Sequence, residues 1–267
     1  MATQRTTAAE LASRKAKGER LACLTCYDYP MARLLDQAGI DLILVGDSVG
    51  NTVLGYESTL PVTLDEVLHH AKAVVRGTSR AHVCLDLPFM SFQLSPRDAL
   101  ASAGRAVKEA GVQSVKIEGG RRLIGVVSTI VDAGIPVLGH LGYLPQSANV
   151  LARRKLEDSA AVRDALLADG TALQEAGCYA VVLELVPPSL AAEVTAALQI
   201  PTIGIGSGPH CDGQILVLYD MLGLGAGKGF RHVKQYAALD EIIGGAAGAY
   251  VDDVRRGAFP PSEGAGS

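Results

Sequence analysis

The chain has 267 residues, 48% of them hydrophobic, with 30 glycines, enough to bury a full core within the size range of one α/β barrel. A formal net charge of -4 and an aromatic content of 4% exclude the basic, base-stacking footprint of a nucleic-acid binder. No segment is an uncharged apolar run of about 18 residues, and the start, MATQRTTAAELASRKAKGER, lacks a signal-peptide core, so a cytoplasmic protein without membrane contact is expected.

In chain order, Ala9 to Lys17 reads as a short helix before the first strand. Apolar runs then alternate with amphipathic stretches, the βαβα signature of a parallel sheet. The predicted strands are Leu21–Thr25, Leu42–Val45, Val83–Leu85, Ser114–Ile117, Pro136–Gly139, Ala180–Leu183, Thr202–Ile205 and Ile215–Leu218. Between them, Thr63–Arg76, Pro96–Ala110, Ser159–Ala176 and Pro188–Leu198 carry apolar residues at helical spacing, with proline or a small polar residue near each start. Gly111, Gly134 and Gly177 sit where helix ends require a left-handed residue. Leu239–Arg256 reads as a terminal helix, followed by a frayed tail, PPSEGAGS. No linker divides the chain, so residues 1–267 are expected to form a single (β/α)8 TIM barrel domain. A doubly wound open sheet is the alternative, since periodicity does not give strand order.

The five cysteines have no framework spacing and suit a reducing compartment. Cys23 and Cys26 spell C-x-x-C, but positions i and i+3 of a strand face opposite ways, so packing is expected rather than metal or redox use.

Most informative is how the strands end. Lys116 and Glu118 lie two residues apart on one strand and leave it on one face. Asp47 follows LILVG, Asp86 follows HVCL, His140 follows PVLG, and Glu184 follows AVVL. Barrel enzymes build their sites from residues at the ends of several strands. Asp47 and Asp86 are suited to share one hard cation, with Glu118 as a third carboxylate; magnesium takes few carboxylates and leaves positions for substrate oxygens. Zinc is disfavoured, because His140 is the sole strand-end imidazole.

Lys116 can neutralise a substrate carboxylate or an enolate oxygen, or form a Schiff base, and its acidic neighbours argue against the second use. Glu184, in the apolar context VVLELVP, is either a desolvated base of raised pKa or a carboxylate tied in an ion pair. His140 either donates to substrate or orients a loop. His69, His70, His82, His210 and His232 are expected to play ordinary surface or core roles. The glycines of GIGSG, Gly204 to Gly208, are explained as well by tight turns as by anion binding.

Taken together, YDYPMARLLDQAGID, LVGDSVGNTVLGYESTLPVT, DLPFMSF, VKIEGG, GHLGYLPQS, LELVP, and IPTIGIGSG followed by DGQILVLYDMLG closely resemble the ketopantoate hydroxymethyltransferase (3-methyl-2-oxobutanoate hydroxymethyltransferase) family over nearly the whole chain. The resemblance implies a (β/α)8 barrel that binds Mg2+ and transfers a hydroxymethyl group from 5,10-methylenetetrahydrofolate to 3-methyl-2-oxobutanoate through a metal-stabilised enolate, in pantothenate biosynthesis. It further implies Asp47 and Asp86 as metal ligands with Glu118 as the metal-associated carboxylate. Asp47, Ser48, Asp86 and Lys116 then form the oxo-acid site, Glu184 is the proton acceptor, and the assembly is a homo-oligomer, a decamer in the family.

Two segments depart from the family pattern. NVLARRKLEDSAA stands where GGYKVQG is usual, and GLGAGKGFRHVKQY replaces a segment containing PKFVKQY. They raise the rival reading of a metal-dependent 2-oxo-acid aldolase that uses free formaldehyde or another aldehyde. Looser rivals are a lyase or mutase of phosphoenolpyruvate-like acids and a non-catalytic ligand-binding barrel.

Overall fold

The computed structural model describes residues 5–149, 156–225 and 233–261. Eight strands, β1 (Leu21–Thr25), β2 (Leu42–Val45), β3 (His82–Asp86), β4 (Ser114–Glu118), β5 (Val137–Gly142), β6 (Ala180–Glu184), β7 (Thr202–Ile205) and β8 (Gly213–Leu216), pair in sequence order into a closed barrel. Every pairing is parallel, and β8 returns to β1 through Leu21 beside Gly213 and Cys23 beside Ile215. That closure removes the open-sheet alternative.

The helices are α1 (Ala8–Ala16), α2 (Tyr29–Ala38), α3 (Val49–Thr52), α4 (Leu64–Gly77), α5 (Pro96–Arg105), α6 (Ile124–Asp132), α7 (Ala160–Glu175), α8 (Pro188–Ala197), α9 (Leu218–Leu222) and α10 (Leu239–Arg255). The chain divides into two compact units, Met1–Val217 and Leu218–Ser267. The first holds the barrel and the second holds α9 and α10. No helix among the described residues is long and apolar enough to cross a membrane.

Local chemistry sets the helix ends. Thr7 and Thr63 close reciprocal capping boxes with Glu10 and Glu66, satisfying backbone donors that would otherwise lack partners. Gly111, Gly134 and Gly177 adopt φ of 75°, 83° and 95°, as their positions past helix ends require. The 96–110 segment is α-helical to Arg105 and closes with a π turn over Ala106–Ala110.

Three expectations change. The last strand lies at Gly213–Leu216 rather than Ile215–Leu218, and Leu218 opens α9. Helix α2 was not among the expected elements, and α6 was expected only through its end at Gly134, without bounds. Asp28 accepts from Met31 N at 2.8 Å and caps α2, whereas α6 is rich in β-branched residues and buries Val126, Val127 and Ile130, so packing overrides its weak helical propensity. The altered segment at 149–161 lies outside the described residues over 150–155, that at 223–236 over 226–232, and the tail over 262–267.

Alternate strand residues fill the barrel. Leu21, Cys23, Leu42, Leu44, Cys84, Leu138, Ala180, Val182, Ile203 and Ile215 form one buried cluster, and Ala8 and Leu11 of α1 join it. Cys23 and Cys26 are free and buried, and burial pushes both thiols up, consistent with packing. This layered apolar filling leaves polar groups to the strand ends.

Candidate active site

Strand register sets the site. Asp86 of β3 pairs with Lys116 of β4, Glu118 of β4 with His140 of β5, and Gly142 of β5 with Glu184 of β6. Asp47 follows β2 after Gly46, where an added Cβ would sit 3.3 Å from Ser48 Oγ and 3.5 Å from Asp86 Oδ2. Gly46 therefore keeps the backbone close to Asp86. Gly142, at φ 100°, is more tightly constrained: a side chain there would run into the Glu184 carbonyl, which accepts from Tyr143 N at 2.8 Å.

Asp47, Asp86, Lys116, Glu118 and His140 are all buried. Lys116 Nζ lies 2.6 Å from Asp86 Oδ2 and 3.6 Å from Glu118 Oε1. His140 bridges two acids, with Nδ1 3.3 Å from Glu118 Oε1 and Nε2 3.3 Å from Glu184 Oε2. Glu184, whose side chain is 14% exposed, opens toward solvent where the others do not. Leu185, directly after it, takes a left-handed φ of 52°, an uncommon conformation for a residue with a Cβ. Its turn is held by Val186 N donating to Ser207 Oγ at 3.0 Å and Ser207 Oγ donating to Leu183 O at 2.7 Å. The serine of GIGSG thus has a turn-holding role.

Ser48 sits beside Asp47, its hydroxyl 2.7 Å from Tyr27 Oη. The structure therefore gathers every residue singled out at the strand ends. It adds residues with no charge to betray them. Gln146 N donates to Glu118 Oε2 at 3.0 Å, and Gln146 Nε2 donates to Asp47 Oδ2 at 3.3 Å. The only sequence signal for Gln146 was its place in GYLPQS just past a strand end.

The electrostatics are lopsided. Burial, then the neighbouring Asp86 and Glu118, holds the Asp47 carboxyl well above the usual carboxylate range. Burial also raises Asp86, with Lys116 offsetting part of the effect. At Glu118 burial is outweighed by Lys116, His140 and the Gln146 amide, so its pKa falls. Burial pulls Lys116 down, but Asp86, Glu118 and Asp47 overcome it and keep the group an ammonium, the opposite of what Schiff-base chemistry needs. His140 is drawn down by burial and Lys116, yet Glu118 and Glu184 raise it to about 9.

Oxygens of Asp47, Asp86 and Glu118 all lie within 4.8 Å of one another. Asp86 Oδ1 is buried without a hydrogen-bond partner, a costly state for a carboxylate oxygen, and Glu118 Oε1 is held only by the ion-pair contacts of His140 at 3.3 Å and Lys116 at 3.6 Å. Three crowded carboxylates, an orphaned oxygen on Asp86 and an all-oxygen donor set fit a hard divalent cation.

The chain matches the sequence profile described as "Ketopantoate hydroxymethyltransferase" over residues 5–262. It is 52% identical over 260 residues to the 3-methyl-2-oxobutanoate hydroxymethyltransferase of Moorella thermoacetica, covering 97% of each chain. To the protein of that name from Chlorobium luteolum it is 53% identical, covering 92% of this chain and 91% of the relative. Among solved structures, a phosphonopyruvate hydrolase in complex with oxalate and Mg++ shares the fold at TM-score 0.64 and 13% identity, covering 98% of this chain and 92% of the other.

Proposed function

Because the chain belongs to the ketopantoate hydroxymethyltransferase family and is a hydroxymethyltransferase, we propose that the rim cluster transfers the one-carbon unit of 5,10-methylenetetrahydrofolate to C3 of 3-methyl-2-oxobutanoate, giving 2-dehydropantoate. Asp47, Asp86 and Glu118 would hold Mg2+. The observation that carries this reading is the trio of buried carboxylates within 4.8 Å, with Asp86 Oδ1 left without a hydrogen-bond partner.

When bound, a divalent cation supplies Lewis acidity to the oxygens of a 2-oxo acid and so acidifies the adjacent C3–H. The remaining chemistry belongs to side chains. Lys116, held as an ammonium by Asp86 at 2.6 Å, offers positive charge to oxygens that become more negative as the C3 proton leaves. Glu184 accepts that proton. Its partial exposure, against the burial of the other acids, supports a carboxylate that meets substrate rather than the cation. His140, bridging Glu118 and Glu184, orients Glu184 and sets its distance from the trio. Ser48, fixed by Tyr27, donates to the oxo acid. Water adds to the methylene carbon as its bonds to N5 and N10 break and both nitrogens take up a proton, C3 bonds to the resulting formaldehyde-level carbon, and the proton held by Glu184 returns to the new hydroxyl as tetrahydrofolate leaves.

Five free, buried cysteines support a reducing, cytoplasmic setting. Exposed Ile242, Ile243, Tyr250 and Val254 on α10 support a homo-oligomer.

The test is deuterium exchange at C3. Wild-type protein with Mg2+ is expected to exchange the C3 proton of 3-methyl-2-oxobutanoate and to form product only when the folate is added. Glu184→Gln should lose exchange by about 10²- to 10⁴-fold while still binding the oxo acid. Exchange at the wild-type rate would reject Glu184 as the base, and equal turnover with free formaldehyde would favour the aldolase.

A further inference from the structure

Gln146 lies in a short 3-10 turn, Pro145–Ser147, just past β5. It is 5% exposed and its amide is fully engaged. Nε2 donates to Asp47 Oδ2 at 3.3 Å and to Leu87 O at 2.9 Å. Oε1 accepts from Gln93 Nε2 at 3.2 Å. A backbone carbonyl can only accept, so the Leu87 contact fixes which end of the amide faces Asp47. The Gln146 backbone N–H meanwhile donates to Glu118 Oε2 at 3.0 Å. One residue therefore grips two of the three carboxylates, from a segment that belongs to neither of their strands.

Resting on the reading of the trio as a cation site, we propose that Gln146 is a positioning residue that holds Asp47 and Glu118 at cation-binding separation, and that Gln93 in turn fixes Gln146. Without such a clamp, like charges in a water-poor pocket rotate apart, and each cation bound must first pull them back together. A neutral amide suits the task. A lysine or arginine there would hold the carboxylates equally well but would cancel the charge that attracts the cation. An amide directs their oxygens and leaves that charge intact. Partners of this kind around ligating carboxylates typically govern metal affinity by about 10- to 100-fold.

Gln146→Met keeps the side-chain length and the backbone donor while removing both amide donors. Calorimetric titration of Mn2+ into chelator-stripped protein should show its dissociation constant weakened by about 10- to 100-fold relative to wild type. The variant should stay folded in chelator, with a melting temperature lowered only by the loss of the Leu87 and Gln93 hydrogen bonds. In turnover assays, the metal concentration for half-maximal rate should rise while saturating Mg2+ returns kcat toward wild type, a split that a merely structural role would not produce. Gln93→Ala, which leaves the donors of Gln146 in place, should weaken binding less, and it supplies the same test should Gln146→Met fail to fold. Wild-type binding with an unchanged constant in these variants overturns this inference alone. Failure of the wild type to bind Mn2+ overturns the reading of the trio and this inference with it.

Discussion

Ser114, Lys116 and Glu118 leave β4 on one face, yet the two ends of that row are in opposite electrostatic states. At the N-terminal end, Ser114 Oγ sits 2.7 Å from His82 Nε2 and 3.1 Å from Tyr179 Oη, and His82 Nδ1 lies 2.9 Å from Thr6 O. The Thr6 carbonyl only accepts, so Nδ1 carries the hydrogen and Nε2 receives one from Ser114, which in turn accepts from Tyr179. This end is neutral and fully paired. At the C-terminal end Glu118 stands among Asp47, Asp86 and Lys116, and Asp86 Oδ1 is left without a hydrogen-bond partner. One barrel interior thus has an end arranged for stability and an end left with unmet interactions for a ligand to satisfy.

The largest expected effect comes from making the functional end resemble the other. Asp47→Asn removes a buried like charge and should cost about 10²- to 10³-fold in kcat/KM, while stabilising metal-free protein by about 1 kcal/mol. Steady-state kinetics and denaturant melts in chelator check both halves; a variant that is both less active and less stable would break the contrast.

The reverse change is smaller in activity. Ser114→Ala strips His82 and Tyr179 of their shared partner and should destabilise the fold by about 1–3 kcal/mol, with kcat of the folded fraction unchanged. Loss of kcat at constant stability would mean that the two ends are not independent.

The subtlest effect is in pH. Burial lowers His82 to about 4, so between there and the unfolded value near 6.5 the unfolded chain binds the extra proton. Stability from this group is complete above that window and is lost as pH falls through it, by up to about 1.4 kcal/mol per pH unit. Asp47, raised by burial and its acidic neighbours, has the opposite sign: its folded form gains a proton first, so it stabilises as pH falls. In metal-free protein, Asp47→Asn should therefore lose stability more steeply than wild type as pH drops below about 6.5. Parallel slopes would show that Asp47 does not titrate as its surroundings imply.

Much of this was legible in the chain. Buried parallel strands read as continuous apolar runs, so all eight emerged, and residues such as Asp86 and Glu184 stood out because they end such runs. The last strand slid by two residues because LVLYDML continues the apolar pattern into α9, where periodicity alone does not separate strand from helix. Helix α2 hid behind Tyr29 and Pro30 despite its Asp28 cap. Gln146 was invisible for a different reason: an uncharged loop amide gains its role only from Asp47 and Glu118, 99 and 28 residues away in sequence.

The most direct test of the central claim is anomalous scattering from crystals of the protein soaked in Mn2+. A peak at about 2 Å from oxygens of Asp47 or Asp86, beside Glu118, is the predicted result. No peak there, or one elsewhere with the three carboxylates unmoved, would contradict it.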